Sequence, residues 1–303
     1  MTSNVLSLDN VTKRFGAKMA VDDVTLELNA GERVALIGHN GAGKTTLMKM
    51  ILGLTPASSG TITVLGDRPG SDQARKSIAF LPENIAFHRS MTGREVLTLL
   101  ARLKSAAADQ VETLLERVGL ADAADQHIRT YSKGMRQRLG LAQALVGEPK
   151  LLLLDEPTSG LDPHLRQSFY AMVDELAASG ATVLLSSHLL TELEARTDRI
   201  AIMREGHLVA CAPLSDLRRR AALPIKIRID VKETERSRIA SALNGQEING
   251  QTVGLSVLTA DKMKTLAQIA SFGDAVNDVE LISANLDDLY TVAASDSVDG
   301  SLS

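Results

Sequence analysis

The chain contains almost no cysteine. Cys211 is the single cysteine among its 303 residues, so no disulfide can form within the chain. A lone thiol fits a reducing compartment, because small secreted domains that rely on disulfides use cysteines in pairs.

A surplus of basic residues is also missing. The 33 lysines and arginines are outnumbered by 37 aspartates and glutamates, which gives a formal net charge of −4. A protein that binds a nucleic-acid backbone normally carries a basic excess, because phosphate contacts dominate that affinity. We therefore predict no nucleic-acid partner, although a local basic patch is compatible with these totals.

Long apolar runs are absent as well. The longest candidates, Leu151–Leu154 and Val183–Leu185, end in polar residues and are typical of buried strands. A helix needs roughly 18 to 20 apolar residues to cross a bilayer. The start of the chain, Met1–Asn4, lacks the basic residues and apolar core of a secretion signal. We therefore expect a soluble, cytoplasmic protein that acts on a membrane only through another chain.

The patterning that is present predicts two domains, since 303 residues exceed most single cores. We place an α/β domain at 1–214, with a helical subdomain inserted at about 87–147, because strand-like segments flank a long helical stretch. Arg218–Arg220 and Pro224 predict a linker. Alternation in Ile225–Val231 and the segments after it predict a small α/β domain at 215–303, with a disordered polar tail from Ser295. We expect this domain to have a regulatory or dimerisation role; an appendage that only adds stability is the alternative.

A glycine-rich segment follows the apolar run Val34–Ile37 and precedes a helical pattern. It matches G-x4-G-K-[ST], and strand, glycine-rich turn and helix form the setting that a phosphate loop requires. Backbone N–H groups there converge on phosphate oxygens, and the helix offers its positive end. We expect Lys44 to reach the β- and γ-phosphates and Thr45 to bind Mg²⁺. The residues predicted to bind the nucleotide are Gly38, His39, Asn40, Gly41, Ala42, Gly43, Lys44, Thr45 and Thr46.

Two carboxylates end the apolar run Leu151–Leu154. Unpaired charges are costly to bury, and a metal ion with a water nucleophile accounts for them. We expect Asp155 to hold Mg²⁺, directly or through water, and Glu156 to polarise the attacking water as a base. For this pair taken alone, a strand that simply leaves the sheet into a loop is the alternative.

The segment Tyr131–Arg138 opens a further helical pattern with small residues. Its backbone N–H groups and the Ser132 hydroxyl offer donors to an anion. On the residues alone, the simpler interpretation of Ser132 as an ordinary helix N-cap is favoured.

The order of these motifs closely resembles the ABC ATPase family over about Val5 to Leu214. In that family a signature sequence, typically Leu-Ser-Gly-Gly-Gln, occupies the place of Tyr131–Met135, and Ser159–Asp162 resembles its D-loop. His188 matches the switch histidine, and Phe15 stands where an aromatic side chain stacks on adenine. The resemblance implies a P-loop NTPase (RecA-like) core with an antiparallel β subdomain and an inserted helical subdomain. It also implies ATP and Mg²⁺ as cofactors, and hydrolysis that depends on Lys44, Glu156 and His188.

The resemblance further implies an assembly. Two copies face each other head to tail as a homodimer, and a separate integral membrane permease docks on Asn84–Arg94, which would hold the protein at the inner face of the cell membrane. Phe87 in that segment is equally well explained as a core residue. A periplasmic or lipoprotein component is an additional candidate partner. The residues implied to contact the partner's ATP are Ser132, Lys133, Gly134 and Asp162.

Two positions depart from the family pattern. Glu83 stands where the family commonly has glutamine, and Lys133 replaces the first signature glycine. We expect Glu83 to be an Mg²⁺ ligand, because a carboxylate is a harder oxygen donor than an amide; a surface glutamate that never reaches the site is the alternative. Lys133 places a cation at a helix start, where the helix dipole disfavours it.

Within the family, Leu81–Asn84, Tyr131–Leu145 and the ending Leu286–Tyr290 look like the ATPase subunit of the transporter that matures nitrous oxide reductase, a system linked to copper and to a sulfur species. We therefore expect the chain to power that permease, with the cargo handled by partners. The alternatives are the ATPase of a drug, lipid or ion exporter, a soluble ABC ATPase acting on ribosomes or DNA, and a nucleotide switch without turnover.

Overall fold

The computed structural model describes residues 4–187, 193–284 and 288–289. The chain divides into two compact units between Cys211 and Ala212, a few residues before the boundary placed at 214/215 from the sequence. Each unit has an apolar core of its own. Within the described residues, no helix combines the length and the apolar character needed to cross a membrane.

Within the described residues, the first unit contains two sheets and the six α-helices given below. Its strands, in chain order up to the boundary, are β1 (Asn4–Phe15), β2 (Lys18–Asn29), β3 (Arg33–Ile37), β4 (Ser59–Val64), β5 (Ile78–Leu81), β6 (Leu151–Asp155), β7 (Thr182–Ser186), β8 (Arg199–Arg204) and β9 (His207–Ala212). Its helices are α1 (Lys44–Ile51), α2 (Asp72–Ser77), α3 (Gly93–Lys104), α4 (Gln110–Arg117), α5 (Lys133–Leu145) and α6 (Pro163–Ala178).

The larger sheet has six strands in the order β5-β6-β7-β3-β8-β9, and β5, β6, β7, β3 and β8 run parallel. Parallel strands are covered on both faces, which explains why the four leucines of Leu151–Leu154 are each 0% exposed. The carboxyl ends of these strands meet at one edge. The segments after β3, β5, β6 and β7, which carry the predicted phosphate loop, Glu83 and the two carboxylates, are therefore gathered at that edge.

The smaller sheet is antiparallel, in the order β2-β1-β4. Together the two sheets make up the α/β P-loop NTPase class with an antiparallel subdomain, so the predicted fold class is confirmed. Phe15 lies at the turn between β1 and β2, where it pairs with Lys18.

The helices α3, α4 and α5 make up the stretch predicted to be helical. Thr92 and Glu95 form a capping box at the start of α3, as their spacing predicts. On α5 the Gln137 side chain is buried, and its Nε2 donates to the carbonyl oxygen of Pro157 at 2.7 Å. This bond ties α5 to the segment that carries the carboxylates.

The second unit is a four-stranded antiparallel sheet in the order β11-β12-β10-β13, with a β-α-β-β-α-β succession that is the ferredoxin-like arrangement. Alternate residues of β10 are buried against the core, as the sequence alternation predicts. The elements are α7 (Leu214–Arg220), β10 (Ile225–Val231), α8 (Arg236–Leu243), β11 (Gln246–Glu247), β12 (Thr252–Val257), α9 (Lys262–Ala270) and β13 (Val276–Ile282).

The linker predicted at Arg218–Arg220 is wrong, because these arginines form the last turn of α7. Cations at the carboxyl end of a helix are stabilised by its dipole, so the charge run closes a helix. The predictions for the tail from Ser295 and for most of 286–292 lie outside the described residues.

We predict that a chain ending at Pro213 folds and binds nucleotide with a Kd within about threefold of the full chain. This cut keeps all of β9 and the whole predicted phosphate loop. Circular dichroism and isothermal titration would test it. A truncated chain that is folded yet does not bind nucleotide would show that the division is wrong.

The matched change in the full chain is Ile229→Ala, since Ile229 is 0% exposed in the core of the second unit. It should cost about 2 to 5 kcal/mol of that unit's stability through the cavity it leaves. Nucleotide affinity should stay the same.

Candidate functional site

The loop from Gly38 to Gly43 joins β3 to α1. Gly43 has a φ of 104°, and a Cβ at this position would collide with the carbonyl oxygen of Ala20, so only glycine fits. The N–H of Ala42 donates to the carbonyl of His39 at 3.0 Å, and the N–H of Gly206 donates to the carbonyl of Ala42 at 3.1 Å. These bonds set the loop shape before any ligand is bound.

Lys44, the first residue of α1, is 8% exposed, and its Nζ donates to the carbonyl oxygens of Gly38 and His39. Burial lowers the pKa of Lys44 below its ordinary value, and the nearby carboxylates of Glu156 and Asp155 oppose that shift. The ammonium is therefore held within the loop, where a phosphate would provide a stronger partner than two carbonyls do.

Asp155, at the end of β6, is 6% exposed, and both of its carboxylate oxygens are hydrogen-bonded. The Thr45 hydroxyl donates to Oδ2 at 2.8 Å, and the Ser186 hydroxyl donates to Oδ1 at 2.7 Å. Because the Thr45 hydroxyl donates its proton to Asp155, the lone pairs of its oxygen remain available to a cation. Hydroxyl and carboxylate oxygens are donors that Mg²⁺ prefers, and Mg²⁺ usually completes its shell with water and phosphate. These residues therefore fit the predicted Mg²⁺.

Glu156 is 8% exposed and has a φ of 49°, a left-handed conformation that is uncommon for residues other than glycine. Its N–H donates to both the carbonyl (3.2 Å) and the hydroxyl (3.1 Å) of Ser186, which holds this conformation. Strained residues of this kind cluster at functional sites, because the strain fixes where a side chain points. The Glu156 carboxylate is held close enough to Lys44 to oppose the lowering of the lysine's pKa by burial.

Ser186 was missed by the sequence reasoning, although it bonds both carboxylate residues. A possible signal was present, because a serine ends the apolar strand β7 beside β6, and Asp155 and Ser186 are register partners. Gln137 was missed as well, since nothing in the sequence pairs it with Pro157.

Glu83 is exposed and follows β5 by two residues. Leu81 of β5 pairs with Leu154 of β6, so Glu83 leaves the sheet at the same edge as Asp155. Asn40 and His39 are exposed in the phosphate loop, and Thr46 is half-buried on α1. His188 lies outside the described residues.

Phe15 is an exposed aromatic, with 52% of its surface accessible. The ammonium of Lys13 lies 5.0 Å from its ring centroid. An accessible ring at this turn is chemically suited to stack on a purine.

The signature segment and the D-loop begin helices. Ser132 accepts a hydrogen bond from the N–H of Met135 at 3.1 Å, and Asp162 accepts one from the N–H of Leu165 at 2.9 Å, so both are N-caps. The side chain of Lys133 lies across Gly160, where an added Cβ would overlap its ammonium. The N-cap interpretation of Ser132 therefore holds in this chain, and its hydroxyl proton is still available to an anion.

A hollow of about 1240 Å³ lies elsewhere in the first unit. Its lining includes Ser77, Lys150 and Ala181, which precede β5, β6 and β7, so it lies at the amino ends of the parallel strands. The residues predicted to bind phosphate lie at the opposite edge.

Comparison with known proteins gives consistent matches. The sequence profile described as "ABC transporter" matches residues 21–159. The uncharacterized ABC transporter ATP-binding protein YhcH of Bacillus subtilis is 33% identical over 298 residues, which cover 94% of each chain. Nod factor export ATP-binding protein I of Burkholderia lata is 37% identical over 258 residues, covering 80% of this chain and 83% of that protein.

A solved structure described as the ATP binding subunit of an ABC transporter has a TM-score of 0.68 at 33% identity, and the match covers 71% of this chain and 92% of the other. The residues matched by the family profile include the predicted phosphate loop and the two carboxylates. The chain therefore belongs to the ATP-binding, ATP-hydrolysing subunits of ABC transporters.

Proposed function

We propose that this chain powers a separate membrane permease by closing on ATP as a homodimer and reopening after hydrolysis. The observation that carries the proposal is the convergence of Lys44, Thr45, Asp155 and Glu156 at one sheet edge. Phosphoryl transfer to water needs a cation that binds phosphate, oxygen atoms that hold a metal, and a carboxylate that orients the attacking water. The protein would lie at the inner face of the cell membrane, held there by the permease.

Each residue has a distinct part in the proposed reaction. The loop N–H groups and Lys44 bind and orient the β- and γ-phosphates. Thr45 and Asp155, with Glu83 in the proposal, would hold Mg²⁺, which neutralises phosphate charge when bound. Glu156 orients the attacking water and receives its proton at the carboxylate.

Closure of the dimer would supply the remaining contacts. We propose that the start of α5, with Ser132, Lys133 and Gly134, meets the γ-phosphate bound by the other copy, and that Asp162 lies beside it. Lys133 adds a cation to that contact, where the family pattern has glycine. ATP then favours the closed dimer because its γ-phosphate bridges the two copies, and hydrolysis removes the bridge. His188 is proposed to contact the same phosphate.

The cargo is a finer proposal. The resemblance of Leu81–Asn84 and Tyr131–Leu145 supports a role in nitrous oxide reductase maturation, with a copper or sulfur species as cargo. The relative named for Nod factor export supports an export role in general, and the relatives described above do not include a nitrous oxide reductase protein. Both observations allow export as the proposed role, and the nitrous oxide reductase maturation system is the more specific candidate within it.

Purification of the tagged chain from detergent-solubilised membranes should recover one integral membrane protein in stoichiometric amount. Arg89→Glu, an exposed change within the proposed docking segment, should lose that partner. The matched control is Arg102→Glu on the exposed face of α3, which should retain it. Mass spectrometry identifies the partner. Recovery of ribosomal proteins or DNA in its place would favour the soluble ATPase alternative.

Glu156→Gln should lower kcat by at least about a hundredfold, because the shape is kept and the base is lost. ATP should still bind, and size-exclusion chromatography with ATP and Mg²⁺ should show a stable dimer only for this variant. The matched control is Glu205→Gln, which makes the same change at an exposed residue with the same φ of 49°. Lys44→Ala should instead weaken ATP binding itself. Wild-type turnover in Glu156→Gln would remove Glu156 from this role.

Glu83→Gln should need more Mg²⁺ for half-maximal ATPase rate while keeping its turnover at saturation, because an amide is a weaker donor to Mg²⁺. Glu83→Ala should shift the requirement further. Repulsion between Glu83 and the triphosphate, about 1 kcal/mol or more at intermediate dielectric, opposes this effect, and Lys44 offsets it. Glu116→Gln, an exposed change on α4, is the control. One shared Mg²⁺ dependence for all variants would exclude Glu83 as a ligand.

A further inference from the structure

We infer that Lys13 is a positioning residue for the nucleotide base: its ammonium fixes the ring of Phe15 and links that ring to the turn after the phosphate-loop helix. The inference rests on the proposed function, since it concerns how the same nucleotide is bound. It assigns a role to a lysine that lies outside every motif discussed above.

Lys13 is unusual because it is buried. Lysine is almost never fully buried unless it is paired, yet Lys13 is only 9% exposed. Its Nζ donates to the carbonyl oxygen of Pro56 at 2.7 Å. Ordering a long side chain around a neutral carbonyl carries an entropy cost, so a second favourable contact is needed to account for its position.

That second contact is the aromatic ring of Phe15, whose centroid lies 5.0 Å from the Lys13 ammonium. A cation within about 6 Å of a ring centroid is attracted by the ring quadrupole, and more strongly when it is desolvated. The pairing of β1 with β2 shifts register at Lys13 and Arg14. Irregularities of this kind re-aim side chains. Lys13 therefore holds the ring from the protein side, while Phe15 remains 52% exposed for a base.

The other end of the contact reaches the phosphate-binding helix. Pro56 lies in the turn after α1, the helix that begins at Lys44. On the β2 side, the carbonyl of Ala20 lies so close to Gly43 that no Cβ fits between them. The hairpin of β1 and β2 thus meets the loop and its helix at two places: Ala20 at the phosphate loop, and Lys13 at the turn beyond the far end of α1. In this inference, Lys13 links the base platform to the helix that carries the phosphate loop.

This arrangement predicts a specific effect on affinity. Without the ammonium, the ring of Phe15 is free to leave its position, and the base loses its stacking partner. Phosphate binding should be unaffected, because Lys44 and the loop N–H groups are unchanged. The affinity for ADP should fall about threefold to tenfold, a part of what base–aromatic stacking contributes to binding, while the affinity for pyrophosphate stays constant.

The experiment compares the Kd of ADP with that of pyrophosphate for the full chain, by competition against a fluorescent nucleotide at fixed Mg²⁺. Lys13→Met keeps the apolar stem and should reduce the pyrophosphate-to-ADP ratio of Kd values. Lys13→Arg restores a cation and should recover most of that ratio. Phe15→Ala should lose at least as much as Lys13→Met. Lys76→Met removes the same charge from the exposed α2 and should change nothing.

Three results would overturn the inference. They are an unchanged ratio in Lys13→Met, an equal loss of ADP and pyrophosphate affinity that marks a general structural role, and a failure of Lys13→Arg to rescue. Each is separable from failure of the proposed function, in which the wild-type chain would bind neither ADP nor ATP. If Lys13→Met does not fold, the pyrophosphate-to-ADP ratio of Kd values in the folded Lys13→Arg and Phe15→Ala variants still decides. A ratio in Lys13→Arg that falls well below the wild-type ratio would contradict the inference.

Discussion

The buried carboxylate of Asp155 is the interaction on which the functional edge of this protein depends. Its two oxygens accept hydrogen bonds from Thr45 at the start of α1 and from Ser186 at the end of β7. Three elements that are distant in sequence are thereby held at one point. A charge buried to this extent is tolerated only when it is fully hydrogen-bonded. The predicted phosphate loop, the residues proposed to hold Mg²⁺ and the proposed water-activating residue therefore share one support.

The same support sets the electrostatics of the site. The Ser186 hydroxyl also accepts a hydrogen bond from the backbone N–H of Glu156. The left-handed conformation of Glu156 is therefore held by the same hydroxyl that donates to Asp155. Burial lowers the pKa of Lys44 and the two carboxylates oppose that shift, while the Nζ of Lys44 donates to the loop carbonyls of Gly38 and His39. Donors arranged before a ligand arrives need no reorganisation when it binds, which is the condition for effective electrostatic stabilisation.

The remaining parts are attached to this centre by single, identifiable contacts. Gln137 joins α5 to Pro157, one residue beyond Glu156. A movement of α5 would therefore displace the segment next to the carboxylates. Lys13 joins Phe15, the proposed base platform, to the turn after α1 through Pro56. The second unit has its own core and a ferredoxin-like order of strands. None of the residues proposed to bind nucleotide or metal lies in it, and its regulatory or dimerisation role stays a prediction.

The sequence by itself determined the predicted phosphate loop, the two carboxylates and the capped helices, because these features are encoded in local spacing: G-x4-G-K-[ST], a leucine strand ending in Asp155 and Glu156, and the Thr92 to Glu95 capping box. The order of these motifs, through its resemblance to the ABC ATPase family, implied the fold class. Sequence patterning misplaced Arg218–Arg220, since a charge run does not reveal whether it closes a helix. Only the tertiary structure decided that Ser186 bonds Asp155, that Gln137 reaches Pro157 and that Lys13 is buried under Phe15. Those contacts join residues far apart in the chain or across a bulge, and pairwise geometry of this kind depends on strand register and packing, which no local pattern specifies.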